Sequence, residues 1–239
     1  RKRSGDCLSE VRSITRKIAT TAAGVVAEAQ ELLTSVTTKG ERTKLAAAIE
    51  ATKRIIEQTQ KVENGLPIEN RIVSLVDEDA RPIPRGKRAI EFGYKALLAE
   101  TEERIIIDYE CLIGNPSDDS LLEDTLTRSK EKLGRAPRSV ATDRGFASSA
   151  NETMCSELGI KQVSIPRKGK LSTKRKKHQQ QRWFKRLQRF RAGGEATISL
   201  LKRKYGLKRT RLRGHTGAKI WVGWSVLTHN LRRLSVLTG

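Results

Sequence analysis

The sequence predicts an α/β chain with a helical segment in front. Three observations carry this. Apolar residues recur three and four apart as far as Val62, short apolar runs of strand type begin after a turn at 64–67, and from there strands alternate with helical stretches. The 239 residues are enough for one sizeable core with a helical appendage.

From Asp6 to Val62 the spacing predicts two or three helices, in stretches such as AAGVVAEAQELL and KLAAAIEATKRIIEQTQ. NGLP at 64–67 is turn chemistry. It divides a helical segment, 1–64, from an α/β domain, 65–239. Strands are expected at 71–77 (RIVSLVD), 93–100 (GYKALLAE) and 104–113 (RIIIDYECLI), the last two as a hairpin. GNPSDD breaks the pattern. A helix over 119–132, a strand at 139–143, a helix over 147–158 and a strand at 161–166 follow. Residues 167–178, RKGKLSTKRKKH, lack apolar periodicity and are expected to be a basic linker. A long helix is expected over 179–205, a loop over 209–218 and an apolar helix packed on the core over 219–236.

A formal charge of +21 and a pI near 10.3 exceed what solubility requires and point to a polyanionic partner, nucleic acid first. No apolar run of about 18 residues and no basic-then-apolar leader occurs, which argues against a membrane span or a signal peptide. A cytoplasmic protein is expected. Cys7, Cys111 and Cys155 are scattered, odd in number and never form C-x-x-C, which argues against a disulfide framework or a zinc site; reduced and mostly buried thiols are expected. The chain opens on Arg1 and its one methionine is Met154, so a trimmed chain lacking a front domain is expected.

Hard divalent cations take oxygen ligands, and Mg²⁺ at phosphoryl-transfer sites needs only one or two protein carboxylates besides water and substrate. Asp77, with Asp79 two residues on, and Asp143 lie at expected strand ends, where an acid is ordinarily a solvated turn residue. Glu195 is harder to dismiss, being the one acid between Lys161 and Gly239. On a helix Arg191, Glu195 and Lys202 share a stripe, so cations would flank a metal-binding carboxylate. The plain alternative is an Arg191–Glu195 i,i+4 pair worth about 0.2–0.5 kcal/mol. Gly193-Gly194 each disfavour a helix interior by about 1 kcal/mol, so the helix is expected either to break there or to come very close to another backbone.

R-x-x-x-E-x-x-x-x-x-x-K, matched by Arg191, Glu195 and Lys202, resembles the helix signature of DDE transposases from bacterial insertion sequences. That signature has a tyrosine where this chain has Gln188. VATDRGF (140–146) is similar to the family's second-aspartate motif, and VDEDARPI (76–83) to its first-aspartate region. The resemblance runs from about Arg71 to Leu237. It implies a ribonuclease H-like mixed sheet flanked by helices, in which the first and fourth strands are neighbours and Asp77 meets Asp143. It further implies Asp77 (or Asp79), Asp143 and Glu195 as catalytic metal ligands, Mg²⁺ or Mn²⁺ as cofactor, and two-metal cleavage and strand transfer of double-stranded DNA. Arg191 and Lys202 would contact transposon-end DNA, with Lys174, Arg175, Lys176, Lys177, Arg182 and Trp183 adding contacts from the basic stretch. A homodimer or higher oligomer on DNA in the bacterial nucleoid is expected. The competing readings are a non-enzymatic basic nucleic-acid-binding protein and a structure-specific nuclease of the same fold.

Other signals carry less. His229-Asn-Leu-Arg232 spells H-x-x-R, but no tyrosine follows it to act as a recombinase nucleophile. His178, His215 and His229 show no metal-ligand spacing, and Trp221 and Trp224 are expected in the core. No phosphate-binding G-x-x-x-x-G-K-[ST] string occurs.

Overall fold

A computed structural model of the chain describes residues 4–69, 71–83, 91–167 and 169–239, with side chains from Cys7 onward. It divides into two compact units, 1–93 and 94–239.

In the first unit, α1 (Ser4–Ser35) and α2 (Lys39–Glu63) pack as a helical hairpin around Val26, Ile49 and Ala51. Arg16 and Glu63 pair across it at 2.9 Å. The strand expected over 71–77 does not form. Ser74 Oγ accepts hydrogen bonds from the amides of Val76 and Asp77, and Asp77 Oδ1 accepts one from the Asp79 amide. The Ala80 amide closes the turn on the Asp77 carbonyl at 3.2 Å. Short polar side chains thus capture the amides a ladder would have used. Among the described residues of this unit, β1 (Arg81–Ile83) and β2 (Glu91–Gly93) form an antiparallel pair.

The second unit begins with the expected hairpin, β3 (Lys95–Glu100) against β4 (Ile106–Leu112). A 3₁₀ turn, Asp118–Leu121, leads into α3 (Leu122–Leu133). β5 (Ser139–Ala141) and β6 (Gln162–Ser164) are parallel, with Val140 opposite Val163, and α4 (Ser149–Glu157) connects them. α5 (Thr173–Gln180), α6 (Arg182–Lys204) and α7 (Gly214–Thr238) complete the chain. One core gathers Ile106, Cys111, Leu201, Ala218, Val222 and Val226; the other gathers Leu122, Leu126, Cys155, Ile160 and Ile165.

The α/β class is as expected, but the strands of the described residues form three separate pairs, β1–β2, β3–β4 and β5–β6. Between the latter two lies a cavity of about 320 Å³, lined by Leu98, Glu100, Val140, Asp143, Glu195 and Ile198 among others. The stretch 167–178 is also not all linker. Ser172 caps α5 by accepting the Arg175 amide at 3.2 Å. The helix is then anchored by Arg175 and His178 instead of apolar side chains, so it leaves no apolar period to detect. α7 is apolar on two faces. Ala218, Val222, Val226 and His229 are buried, while Ile220, Trp224, Leu227, Leu231 and Leu234 lie exposed on the opposite side. Trp224 is therefore not a core residue, and Trp221 is half-buried with its indole N–H on the Gly206 carbonyl.

Candidate active site

Asp143 follows β5 and starts a 3₁₀ turn, Arg144–Phe146. Its Oδ1 accepts the Gly145 amide at 2.6 Å, an Asx-type bond that bends the chain and ends the strand. The other oxygen, Oδ2, lies 3.9 Å from Arg191 Nη2 on α6. One turn along α6, Glu195 Oε1 lies 3.5 Å from the same nitrogen. Two carboxylates from separate elements therefore converge on one guanidinium nitrogen. Glu195 is 74% exposed and Asp143 43%, against 32% for Arg191, so both acids remain open to solvent while the cation sits deeper.

Gly145 has the Asp118 carboxylate against it: a Cβ there would press on Asp118 and come within 2.8 Å of Asp143 Oδ1. Asp118, which sequence reasoning did not single out, is paired with Lys95 Nζ, and Lys95 also donates to the Pro116 carbonyl at 2.7 Å. Its signal in the sequence was its place just beyond β4, in GNPSDD. Asp108 on β4 is an acid of another kind: only 2% exposed, it accepts from Arg128 at 3.0 Å and from Lys132 on α3. Burial works against the Arg128 charge, but the hydrogen bonds and charges of Asp108 and Glu110 outweigh it and raise the Arg128 pKa. That cluster fastens α3 to β4.

α6 runs unbroken through Gly193-Gly194, because the glycines admit a close neighbour. Arg104, in the β3–β4 turn with φ 64°, lays its guanidinium over the Phe190 ring at 4.2 Å and donates to the Phe190 carbonyl at 2.8 Å. It is paired with Glu100, whose other oxygen accepts from Thr197 Oγ1 at 2.9 Å. Arg191 thus does share a helical face with Glu195. On the N-terminal side, Gln188 bonds the ends of β5 and β6.

The remaining expected residues divide. Lys174, Lys176, Lys177 and Arg182 are exposed on α5 and at the start of α6, and Lys202 is half-buried in the last turn of α6. Arg175 turns inward, donating to the Ile165 carbonyl at 2.6 Å and pairing with Glu152 at 2.7 Å. Trp183 packs edge-to-face with His178 and Phe184, at 5.3 and 5.6 Å between ring centres, so its ring braces the α5–α6 corner. Asp77 and Asp79 lie in the Ser74 turn of the other compact unit.

Among the described residues no group of three or more His, Cys, Asp or Glu side chains is gathered as a closed metal site. The Asp143–Glu195 pair offers hard oxygen donors around a position already taken by positive charge. That donor set fits a Mg²⁺ or Mn²⁺ ion which keeps waters and substrate oxygens as its other ligands. Among the described residues no helix is long and apolar enough to cross a membrane.

A family model described as Transposase DDE domain matches residues 35–231, well over half of the chain. Comparison with curated proteins and with solved structures returns no match. Asp143 and Glu195 both lie inside the matched region, and the chain belongs to the transposase DDE domain family.

Proposed function

We propose that this chain is a transposase that cuts double-stranded DNA at the ends of an insertion sequence and joins them to a target, with Asp77, Asp143 and Glu195 as the carboxylates of its site. The observation that carries the reading is the convergence of Asp143 and Glu195 on Arg191 Nη2, at 3.9 and 3.5 Å. Their spacing in the sequence, 52 residues apart by number (195 less 143), gives no local reason for them to meet. Asp77 enters on the order of the motifs, with Asp79 as its alternative, and a ribonuclease H-like core would be the frame that unites them.

Bound Mg²⁺ or Mn²⁺ would supply a nucleophile of lowered pKa and charge stabilisation at the leaving oxygen. The chain's own residues supply the rest. Asp143, with one oxygen committed to the Gly145 amide, turns the other toward Arg191 and Glu195. Glu195 faces it from a helix held on both sides. Arg191, between the two, offsets one of the pair's two negative charges and is placed to meet a DNA phosphate brought to the same point. Lys174, Lys176, Lys177 and Arg182 offer further phosphate contacts, and Lys202 extends the basic side of α6. The inward contacts of Arg175 and the packing of Trp183 give these two a supporting part, within the basic surface they help to shape.

The test is cleavage and joining of duplex DNA that carries the inverted repeats bordering the reading frame, with Mg²⁺ and the full chain. Glu195→Gln is expected to abolish both steps while duplex binding in EDTA stays within about threefold, since the variant removes a metal ligand and no phosphate contact. Intact cleavage by that variant would overturn the assignment. Hydrolysis without joining would favour a structure-specific nuclease, and duplex binding without any metal-dependent cleavage a coating protein.

A further inference from the structure

The half-buried amide of Gln188 joins α6 to the ends of both β5 and β6. Gln188 Nε2 lies 3.2 Å from the Thr142 carbonyl oxygen, 2.8 Å from that of Ser164 and 2.9 Å from Ser164 Oγ. Two carbonyls accept only, so the terminus among them must be the NH₂ group. Ser164 is wholly buried, and its hydroxyl donates onward to the Phe184 carbonyl at 3.3 Å. The Thr142 carbonyl belongs to the peptide that joins Thr142 to Asp143. Gln188 lies seven residues before Glu195 and three before Arg191, on the same face of α6. A single amide therefore links the backbone of one carboxylate to the helix face that carries the other.

We propose that Gln188 is a positioning residue for the carboxylate pair. Its amide sets how far α6 slides and turns against the end of β5, and so the separation of Asp143 and Glu195. The Glu100–Arg104 contact, beyond Arg191, restrains the helix from the other side. The inference rests on the reading that the pair takes a divalent metal. A shift of about 1 Å at such a pair is enough to lose roughly 10²-fold in function.

Mn²⁺ binding, read from the loss of the free-ion electron paramagnetic resonance signal, tests this without reference to DNA cleavage. The full chain is compared with Gln188→Lys, Gln188→Glu, Gln188→Met and Glu195→Gln, each checked for folding by circular dichroism. Lysine can donate to the same three oxygens, glutamate sets an acceptor against two carbonyls, and methionine keeps the length without a donor. Affinity is expected to stay within about threefold for Gln188→Lys and to fall about 10–100-fold for Gln188→Glu and Gln188→Met. Unchanged binding by these last two, while Glu195→Gln has lost it, overturns the positioning role and leaves the metal pair standing. A loss in Gln188→Lys equal to that in Gln188→Met also overturns it. If the unaltered chain and Glu195→Gln bind alike, the metal-pair reading itself fails. Should Gln188→Glu not fold, the contrast of lysine with methionine decides.

Discussion

A methyl group at Gly193 would stand 2.9 Å from Arg104 Cζ and closer still to its Nη2, so alanine cannot enter without displacing the guanidinium. By helix propensity alone the substitution stabilises by about 1 kcal/mol, whereas overpacking of this kind destabilises by about 1–3 kcal/mol. The Arg104 side chain is held by Glu100, the Phe190 ring and the Phe190 carbonyl, so overpacking is the larger effect. Gly193→Ala is expected to lower stability in urea melts. In an Arg104→Ala background the sign should reverse, a coupling that a double-mutant cycle measures directly. The sequence posed the two glycines as a break or a close approach, and local rules could not choose. The neighbour that decides is 86 residues from Phe190 in the chain. Gln188 is similar: as a departure from a family signature it was legible, but its partners Thr142 and Ser164 were not.

At the scale of elements, the β3–β4 turn is where both long helices of the second unit hold the sheet. α6 receives Arg104, and α7 sends His229, Asn230 and Arg233 to the carbonyls of Arg104, Ile106 and Glu103. Asn230 acts as a substitute strand edge: its Oδ1 accepts the Ile106 amide at 2.9 Å and its Nδ2 donates to the Ile106 carbonyl at 2.8 Å. Ile106 is 4% exposed, so water cannot replace these bonds freely. Asn230→Leu is expected to destabilise by about 1–3 kcal/mol for each polar group left unpaired, and to speed hydrogen exchange at the Ile106 amide. Asn230→Asp keeps the acceptor for the Ile106 amide but sets a carboxylate oxygen against the Ile106 carbonyl, and is expected to destabilise as well. The histidine of the H-x-x-R string thus has a structural occupation. The hairpin and the helices α3, α4 and α6 were legible because each bears its own period or turn chemistry. The strand expected at 71–77 was not, because Ser74 and Asp77 compete for the same amides.

At the scale of the whole molecule, burial sorts the three cysteines. Cys7 is exposed, while Cys111 and Cys155 are buried one in each core cluster, with burial pushing both thiols up to about 11. At pH 8 a thiol-specific disulfide reagent is expected to label Cys7 rapidly and the other two only on unfolding, which counting of labelled sites by mass spectrometry checks. Because the folded-state values are raised, these thiols favour the fold below the ordinary thiol range near pH 8.5. That contribution is lost as pH rises through about 11. What the sequence by itself determined is the type and order of most elements, the +21 charge and the family. Those follow from periods and spacings within a few residues of one another. Only the tertiary structure decided which acids face each other and which are structural, that Asp143 and Glu195 meet at Arg191 while Asp108 is buried under Arg128 and Lys132. It also decided that Arg175 turns inward among so many outward cations. Each of these outcomes depends on contacts between residues distant in the chain, and side chains of the same charge carry no local mark of the partner that burial or packing will give them.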